Sequence, residues 1–164
     1  MKKIREATKE DMIEIYKMGY DVWGDNLPII EYITMCQDSI KYKKGKWYVL
    51  EATETQQLLS SLIVYELYLS EKQVVKGIGS IATPLYLRKN GYATLLVKET
   101  INKLEQEENC NNFFLYSDIG IEFYKRLGFV VLPDDSQKYK DSICMYYSKE
   151  NNFATLSLNI PDYF

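Results

Sequence analysis

The amino-acid sequence predicts an α/β (α+β) fold in which helices flank a mostly antiparallel sheet. Three observations support this fold. Residues 47–83 read as three strands joined by short polar turns, residues 93–104 carry apolar side chains at helical spacing, and residues 113–117 are largely apolar. A continuously apolar strand is typical of a position that is buried on both faces of a sheet. The length of 164 residues fits one domain with a single core.

The composition argues against several classes of protein. The net charge is -3, whereas binding to nucleic acid requires a basic face. The two lysines near the start are not followed by the apolar core of a signal peptide, and no apolar run approaches the roughly 18 residues of a membrane span. We therefore expect a cytoplasmic protein that neither binds nucleic acid nor crosses a membrane.

Histidine is absent, and the three cysteines are isolated from one another. These facts exclude Ser-His-Asp and Cys-His catalytic groups, and they make a disulfide framework or a metal site improbable. Proton transfer must therefore use tyrosine, a carboxylate, lysine, cysteine, the backbone or water. We expect no metal.

The first part of the chain is predicted to form an edge strand, residues 2–7, and two helices, residues 9–20 and 29–42. Thr8 offers an N-cap for the first helix, and Asp11 stands in the capping-box position. The apolar face of the second helix is predicted to consist of Ile29, Ile33, Cys36 and Ile40.

Residues 19–28, between the two helices, are predicted to form a loop because they include two glycines, an asparagine and a proline. This loop carries Tyr20, Asp21, Trp23 and Asp25. Exposed aromatic rings beside carboxylates suit the recognition of a cation. The alternative is that Trp23 only anchors the turn between the helices.

The remaining elements follow from alternation and turn residues. The predicted strands are residues 47–52, 58–69, 74–83, 113–117, 129–132 and 142–148. The sequence SEKQ, residues 70–73, is predicted to turn the chain between two of them. A short helix, residues 119–127, is expected to begin at Asp118 and to end at Gly128. Residues 149–164 form an extension, which we expect to pack on the domain of residues 1–148.

The segment from residue 75 to residue 104 is organised as a strand, a glycine turn and a helix. Backbone N–H groups are unpaired at a helix N-terminus, where the helix carries a partial positive charge. Gly91 has no Cβ to obstruct a ligand, while Arg88 and Lys89 add positive charge. Pro84 ends the preceding strand. This arrangement suits a pyrophosphate.

Two blocks of the sequence resemble the GNAT superfamily of acetyl-CoA-dependent N-acetyltransferases. Residues 88–93, RKNGYA, match its (Q/R)-x-x-G-x-(G/A) signature, and the strand GIGSIATP before them is similar to the strand that pairs with the pantetheine arm. Residues 113–129, FFLYSDIGIEFYKRLGF, match a strand–helix segment that ends in Y-x-x-x-G-F. The resemblance implies a twisted, mixed and mostly antiparallel sheet of about seven strands with about four helices, in which two splayed strands form the acetyl-CoA slot.

The resemblance also implies roles for individual residues. Backbone groups of Ile81 and Thr83, with Ala82 between them, would hold the thioester and pantetheine. The pyrophosphate would be bound by Arg88, Lys89, Asn90, Gly91, Tyr92, Ala93 and Thr94. Phe123 would flank the CoA arm, and Tyr124 would protonate the leaving thiolate. A phenol is protonated at pH 7 and can act as this acid, although Tyr124 could instead be a packed helix tyrosine.

The general base and the acceptor are less defined. The strand at residues 75–83 has no carboxylate, which many relatives carry there. Candidate bases are Asp21, Asp25, Glu66 and Glu122, and a water chain or capture of the free amine would need none. The predicted acceptor-binding residues are Tyr20, Trp23, Asp25 and Glu66.

The resulting prediction is an acetyl-CoA-dependent transfer of an acetyl group to a primary amine, by direct attack in a ternary complex. The acidic composition and the Trp23 loop favour a small cationic acceptor. A protein-lysine or N-terminal acetyltransferase is an alternative. Two alternatives without catalysis are a regulatory module that binds acetyl-CoA and a partner-binding domain whose glycine turn is only a helix cap. A monomer or a homodimer is expected.

Overall fold

The computed structural model describes residues 1–70, 73–150 and 160–164. The centre of the predicted turn at 70–73 and most of the extension at 149–164 therefore lie outside the described residues. Contacts divide the chain into two units. Unit one comprises residues 1–64 and 80–100, and unit two comprises residues 65–79 and 101–164. Strands β3 and β4, defined below, each contribute residues to both units.

A seven-stranded sheet runs through the described residues. Its strands are β1 (Lys2–Glu6), β2 (Lys46–Ala52), β3 (Gln57–Ser70), β4 (Gln73–Ala82), β5 (Asn112–Ser117), β6 (Val130–Val131) and β7 (Ile143–Ser148). The spatial order is β1-β2-β3-β4-β5-β7-β6. The pair β4–β5 is parallel, while β1–β2, β2–β3, β5–β7 and β6–β7 are antiparallel. The predicted mixed, mostly antiparallel sheet is confirmed.

The parallel contact between β4 and β5 is short. It joins Lys76 to Phe113 and Gly77 to Phe114, after which β4 continues to Ala82 and β5 to Ser117. Strand β5 pairs with β7 along its whole length. Its consecutive side chains Phe113, Phe114 and Leu115 are at most 1% exposed, and because neighbours in a strand point to opposite faces, β5 is buried on both faces. The uninterrupted apolar character of this strand in the sequence has this cause.

Six α-helical segments occur in the part of the chain that the structure describes. They are α1 (Met12–Met18), α2 (Tyr20–Trp23), α3 (Ile29–Asp38), α4 (Ile40–Lys44), α5 (Tyr92–Glu108) and α6 (Glu122–Lys125). Short 3-10 turns at Lys9–Asp11, Leu85–Leu87 and Asp134–Ser136 accompany them. None of these helices is both long enough and apolar enough to cross a bilayer.

The predicted helix at residues 29–42 is wrong in one respect, because Ser39 divides it into α3 and α4. Ser39 has an extended backbone, and its side chain accepts a hydrogen bond from the Tyr42 N–H at 3.3 Å, which starts α4. The helical phase restarts there, so Ile40 does not continue the face of Cys36. Cys36 is buried, whereas Ile40 is 71% exposed.

The predicted loop at residues 19–28 also needs correction, because it contains α2. The Trp23 N–H donates to the Gly19 carbonyl at 2.8 Å, and the Gly24 N–H donates to the Tyr20 carbonyl at 2.9 Å. The chain leaves this helical turn at Asp25 and Asn26, which adopt positive φ values of 47° and 59°. Both residue types tolerate the left-handed region better than most.

The predicted helix at residues 119–127 is shorter than expected, and Asp118 does not cap it. The carboxylate of Asp118 accepts hydrogen bonds from two distant residues, Ser142 and Tyr163, instead of from the first turn of α6. The helix begins after Ile121, and Arg126 follows its end.

The core of unit one joins its first helices to β2 through aromatic rings. The rings of Tyr16 and Tyr42 stack with centroids 6.0 Å apart, and the Tyr42 ring meets Trp47 edge to face at 5.1 Å. Tyr16 and Trp47 are buried. Such aromatic pairs contribute beyond the area that they bury.

The core of unit two is built on β4, β5 and β7. Its buried cluster consists of Val75, Phe114, Leu132, Cys144 and Tyr146. Phe164 packs against this cluster and lies so close to Gly77 that a Cβ on Gly77 would come within 2.5 Å of the Phe164 ring. Since neighbouring residues of a strand point to opposite faces, Phe164 covers the face of β4 opposite to Lys76.

Replacement of Asp11 by asparagine is expected to lower the free energy of unfolding by an amount that depends on pH. The Asp11 carboxylate accepts two hydrogen bonds from Arg5, at 2.6 and 3.0 Å, and one from the Thr8 N–H at 2.7 Å. The Arg5 hydrogen bonds lower the pKa of Asp11 to about 2, against the opposing effect of burial. A lowered folded-state pKa contributes stability above the normal value of 3.8, and this contribution is lost as the pH falls towards 2.

The contribution is about 2 kcal/mol at pH 7. Urea unfolding of the wild type and of Asp11→Asn between pH 2 and pH 7 measures it. The two stability curves should converge at the acid end, and a constant offset across this range would contradict the assignment.

Candidate functional site

The end of β4 is held by a buried serine. The Ser60 hydroxyl donates to the Ala82 carbonyl at 2.7 Å and lies 3.0 Å from the Thr83 hydroxyl. Ser80, two residues earlier than Ala82, has a positive φ of 45°, which is uncommon for a residue with a Cβ. The resemblance assigns the thioester contacts to residues 81–83. The left-handed residue Ser80 precedes this stretch, and the buried hydrogen bond from Ser60 holds Ala82 within it.

The glycine turn that follows has a left-handed backbone at two positions. Lys89 has φ of 66° and Gly91 has φ of 76°. The Asn90 amide donates to the carbonyls of Leu87 and Arg88 at 2.9 and 3.2 Å, which closes the turn on itself. Left-handed residues in a turn can direct neighbouring N–H groups into a concavity that binds anions.

A run of backbone donors lies between this turn and the first turn of α5. Within residues 1–70, 73–150 and 160–164, no hydrogen-bond partner exists for the N–H groups of residues 89–94. The first N–H of α5 with a partner is that of Leu95, which donates to the Gly91 carbonyl at 2.9 Å. Six consecutive free donors at a helix N-terminus fit a pyrophosphate.

Arg88 ties this turn to two other parts of unit one. Its Nε donates to the Thr83 carbonyl at 3.0 Å, and its Nη2 donates to Asp21 Oδ1 at 2.7 Å. The guanidinium therefore joins the end of β4 to α2. The sequence predicts Arg88 as a positive charge for the phosphates and Asp21 as a candidate base or ammonium binder, but their mutual ion pair has no local sequence signal.

Replacement of Gly91 by valine is expected to raise the Kd for acetyl-CoA about tenfold, because a residue with a branched Cβ disfavours the left-handed region by roughly 1–2 kcal/mol. A Cβ at Gly91 would meet no atom within 4 Å, so the effect comes from φ and not from crowding. Gly91→Asn is the matched control, since asparagine tolerates this region. Isothermal titration should place it between the wild type and Gly91→Val, and equal Kd values for all three would contradict the reasoning.

Tyr124 lies on α6 in unit two and is buried. Its ring contacts Phe123 at 5.0 Å and Phe129 at 6.3 Å between centroids. Burial, together with the negative charge of Asp118, raises the pKa of Tyr124 to about 12. The phenol is therefore fully protonated at neutral pH, which suits a proton donor and excludes a role as general base in that state.

The predicted acceptor-side residues of unit one lie on and just after α2. The Tyr20 hydroxyl donates to the Leu27 carbonyl at 2.6 Å, and its ring lies 5.3 Å from that of Tyr32. Trp23 is 41% exposed, and Asp25 is at the surface in a left-handed conformation.

The other candidate carboxylates lie in unit two. Glu66 accepts hydrogen bonds from Lys76 Nζ at 3.0 Å and from the Tyr68 hydroxyl at 3.1 Å. Glu122 is exposed and lies 3.5 Å from Lys125 Nζ. Among the described residues, no group of three or more Cys, Asp or Glu side chains is arranged to hold a metal ion.

Comparison with known proteins identifies the family. The family model for the acetyltransferase (GNAT) domain matches residues 3–132, a range that includes both sequence blocks. None of the curated proteins compared with the chain matches it.

Solved structures share the fold. Spermidine N-acetyltransferase from Vibrio cholerae, in complex with CoA and spermine, has a TM-score of 0.66 at 14% identity over 91% of this chain and 96% of that chain. NAA60 from Arabidopsis thaliana, in complex with acetyl-CoA, has a TM-score of 0.66 at 13% identity over 92% and 100%. A probable N-acyltransferase from Enterococcus faecalis V583 has a TM-score of 0.60 at 16% identity over 79% of this chain but only 32% of its own, so this chain spans about a third of that protein.

At these identities the structural likeness concerns the fold alone, whereas the family match covers most of the chain. The order of strands, the glycine turn before α5 and the segment from β5 through α6 agree with it. The chain belongs to the GNAT family of acetyltransferases.

Proposed function

We propose that this protein transfers an acetyl group from acetyl-CoA to the primary amine of a small cationic acceptor. The observation that carries the proposal is the run of six free N–H donors at residues 89–94, at the start of α5. When bound, acetyl-CoA supplies an acetyl group activated as a thioester. The rest of the reaction depends on groups of the chain itself.

The chain's own groups take distinct roles in this proposal. Backbone groups of Ile81 and Thr83 hold the acyl arm, with Ala82 fixed between them by Ser60. The N–H groups from Lys89 to Thr94 bind the pyrophosphate. The nitrogen of the attacking amine loses a proton to a carboxylate or to water as the C–N bond forms. Phe123 flanks the CoA arm, and Tyr124 Oη donates a proton to the thiolate as the C–S bond breaks. A backbone N–H near Ile81 would stabilise negative charge on the carbonyl oxygen during attack.

The acceptor is proposed to be a small amine that carries positive charge. The net charge of -3 favours attraction of a cation, and Tyr20, Trp23, Asp25 and Glu66 are the proposed contacts. The Vibrio cholerae relative binds spermine, which supports a polyamine as the first acceptor to test. We also propose that residues 1–148 form a single functional domain, that the protein is cytoplasmic, and that it is a monomer or a homodimer.

Release of free thiol from acetyl-CoA across a panel of amines tests the proposal. The panel contains spermidine, spermine, an aminoglycoside, free lysine and a lysine-containing peptide. We expect the highest kcat/KM with one of the small polycations, and none with the same compound after acetylation of its amines. Preference for the peptide would favour a protein acetyltransferase instead.

Isothermal titration with acetyl-CoA separates the remaining alternatives. Binding without thiol release from any amine would indicate a regulatory module. No binding would leave the glycine turn as a helix cap and would overturn the proposal.

A further inference from the structure

Residues 160–164 are held to the rest of unit two by hydrogen bonds, an ion pair and a ring contact. The Tyr116 hydroxyl donates to the Pro161 carbonyl at 2.6 Å, and Lys138 pairs with Asp162 at 2.8 Å. The Tyr163 N–H donates to the Tyr139 hydroxyl at 3.1 Å. The ring of Phe164, as described above, covers Gly77. These contacts fix the direction of the segment.

One further contact of the segment reaches the turn between β5 and α6. The Tyr163 hydroxyl donates to Asp118 Oδ2 at 2.9 Å, while the Ser142 hydroxyl donates to Asp118 Oδ1 at 2.5 Å. Each carboxylate oxygen of Asp118 therefore has its own donor. Within the same turn, the Ser117 hydroxyl donates to the Gly120 carbonyl. The turn is thus stabilised by one hydrogen bond within it, from Ser117, and by two from residues distant in sequence, Ser142 and Tyr163.

This turn determines where α6 begins. Helix α6 spans only Glu122–Lys125, and a helix of one turn has no stability of its own. Its position must come from the packing of Tyr124 and from the turn that precedes it. The charge of Asp118 also acts on Tyr124, whose pKa it raises. Asp118 lies in the turn that leads into α6, and Tyr124, the phenol of the proposed reaction, lies on α6 itself.

We propose that Tyr163 is a positioning residue for Tyr124, because its hydroxyl holds Asp118 and thereby the turn from which α6 starts. The inference rests on the proposed function, in which Tyr124 is the proton donor. It assigns a role to the segment of residues 160–164, for which the sequence motifs provide none.

The test compares four variants with the wild type. Tyr163→Phe removes the hydroxyl but keeps the ring, which lies 5.3 Å from Tyr116 and 6.0 Å from Tyr139 between centroids. Asp118→Ala removes the carboxylate, and a double variant combines the two changes. Tyr68→Phe is the matched control, because it removes another tyrosine–carboxylate hydrogen bond, of 3.1 Å to Glu66, from an exposed residue of the same unit.

Two measurements are made on each variant. The first is kcat together with the KM for acetyl-CoA. The second is the rate at which tetranitromethane nitrates Tyr124 in the protein without acetyl-CoA, followed by mass spectrometry of the peptide. Nitration requires the phenolate, so this rate reports on the surroundings of Tyr124 without any turnover.

Tyr163→Phe is expected to lower kcat about fivefold at an unchanged KM, a small part of what a general acid contributes. Nitration of Tyr124 should be about threefold faster. Without the Tyr163 hydrogen bond, the Asp118 carboxylate raises the pKa of Tyr124 less, so a larger fraction of the phenol is ionised. The double variant should equal Asp118→Ala in both measurements, and nitration of Tyr124 in Tyr68→Phe should be as fast as in the wild type. If Tyr163→Phe does not fold, Ser142→Ala removes the other donor and should give the same two changes.

Wild-type kcat and nitration in Tyr163→Phe would overturn the inference, as would effects that multiply in the double variant. An equally large rise in the nitration of Tyr124 in Tyr68→Phe would also overturn it. If no form of the protein releases thiol, the proposed function fails, while nitration still decides whether Tyr163 acts on Tyr124 through Asp118.

Discussion

Replacement of Tyr124 by phenylalanine is expected to lower kcat about a hundredfold, the lower end of what a positioned general acid contributes. The change removes one oxygen atom and keeps the ring that packs against Phe123 and Phe129. The KM for acetyl-CoA should therefore stay near the wild-type value. Steady-state kinetics at saturating acceptor measure both constants, and thermal unfolding shows that the variant is folded.

The pH dependence of kcat is a second test of whether Tyr124 is the proton donor. Because burial and Asp118 raise the pKa of Tyr124 to about 12, the phenol remains protonated well above neutral pH. A wild-type loss of activity at high pH caused by Tyr124 should begin only near that value. Tyr86→Phe, at a 75% exposed position, is the control for a lost tyrosine hydroxyl. Near-wild-type kcat of Tyr124→Phe across pH would remove Tyr124 from the mechanism.

Simultaneous replacement of Glu66 and Glu108 by glutamine is expected to lower the free energy of unfolding by about 3 kcal/mol, because it leaves a buried charge unpaired. That charge is Lys76, whose side chain is only 8% exposed. Its Nζ lies 3.0 Å from Glu66 and 2.6 Å from Glu108. Urea unfolding at pH 7 measures the loss.

A third substitution separates the effect of the unpaired Lys76 charge from other effects of replacing the two glutamates. Lys76→Met in the doubly substituted protein replaces the buried ammonium with an apolar chain of similar length, so most of the stability should return. If the triple variant is no more stable than the double variant, the buried charge is not the cause of the loss.

The sign of the pH dependence follows from the pKa of Lys76. Burial lowers this pKa, but the hydrogen bonds of Glu108 and Glu66 more than offset burial, so the net shift is upward. A raised folded-state pKa contributes stability that is complete below the normal value of 10.5 and is lost as the pH rises through the folded-state value. Unfolding measured from pH 8 upwards should show this loss in the wild type and not in the triple variant.

The local sequence predicts those helices and strands in which apolar side chains follow the pattern expected for that type of element. Helix α5 is an example, since its apolar residues recur at helical spacing and its start is marked by the glycine turn. Strand β5 is another, because its composition reflects burial on both faces. The glycine turn is recognisable because its glycine and its charged residues are neighbours in the chain.

Features that depend on distant residues are not predictable in this way. The break at Ser39 is a separate case, because its hydrogen bond with Tyr42 is local, but the apolar spacing around it favours an uninterrupted helix. The ion pair of Arg88 with Asp21 and the hydrogen bond of Tyr163 to Asp118 join residues that are far apart in the sequence. Their partners become neighbours only in the folded chain, so no single stretch of sequence contains the signal.

The contact of Phe164 with Gly77 has a consequence for folding kinetics. More than half of the chain separates the two residues, so the face of β4 that Phe164 covers stays exposed to solvent until residues 160–164 have been synthesised and have docked. Contacts of such high sequence separation form slowly, because a long loop must close before they are made. Any form of unit two in which residues 160–164 have not docked therefore leaves this apolar face of β4 open to other chains.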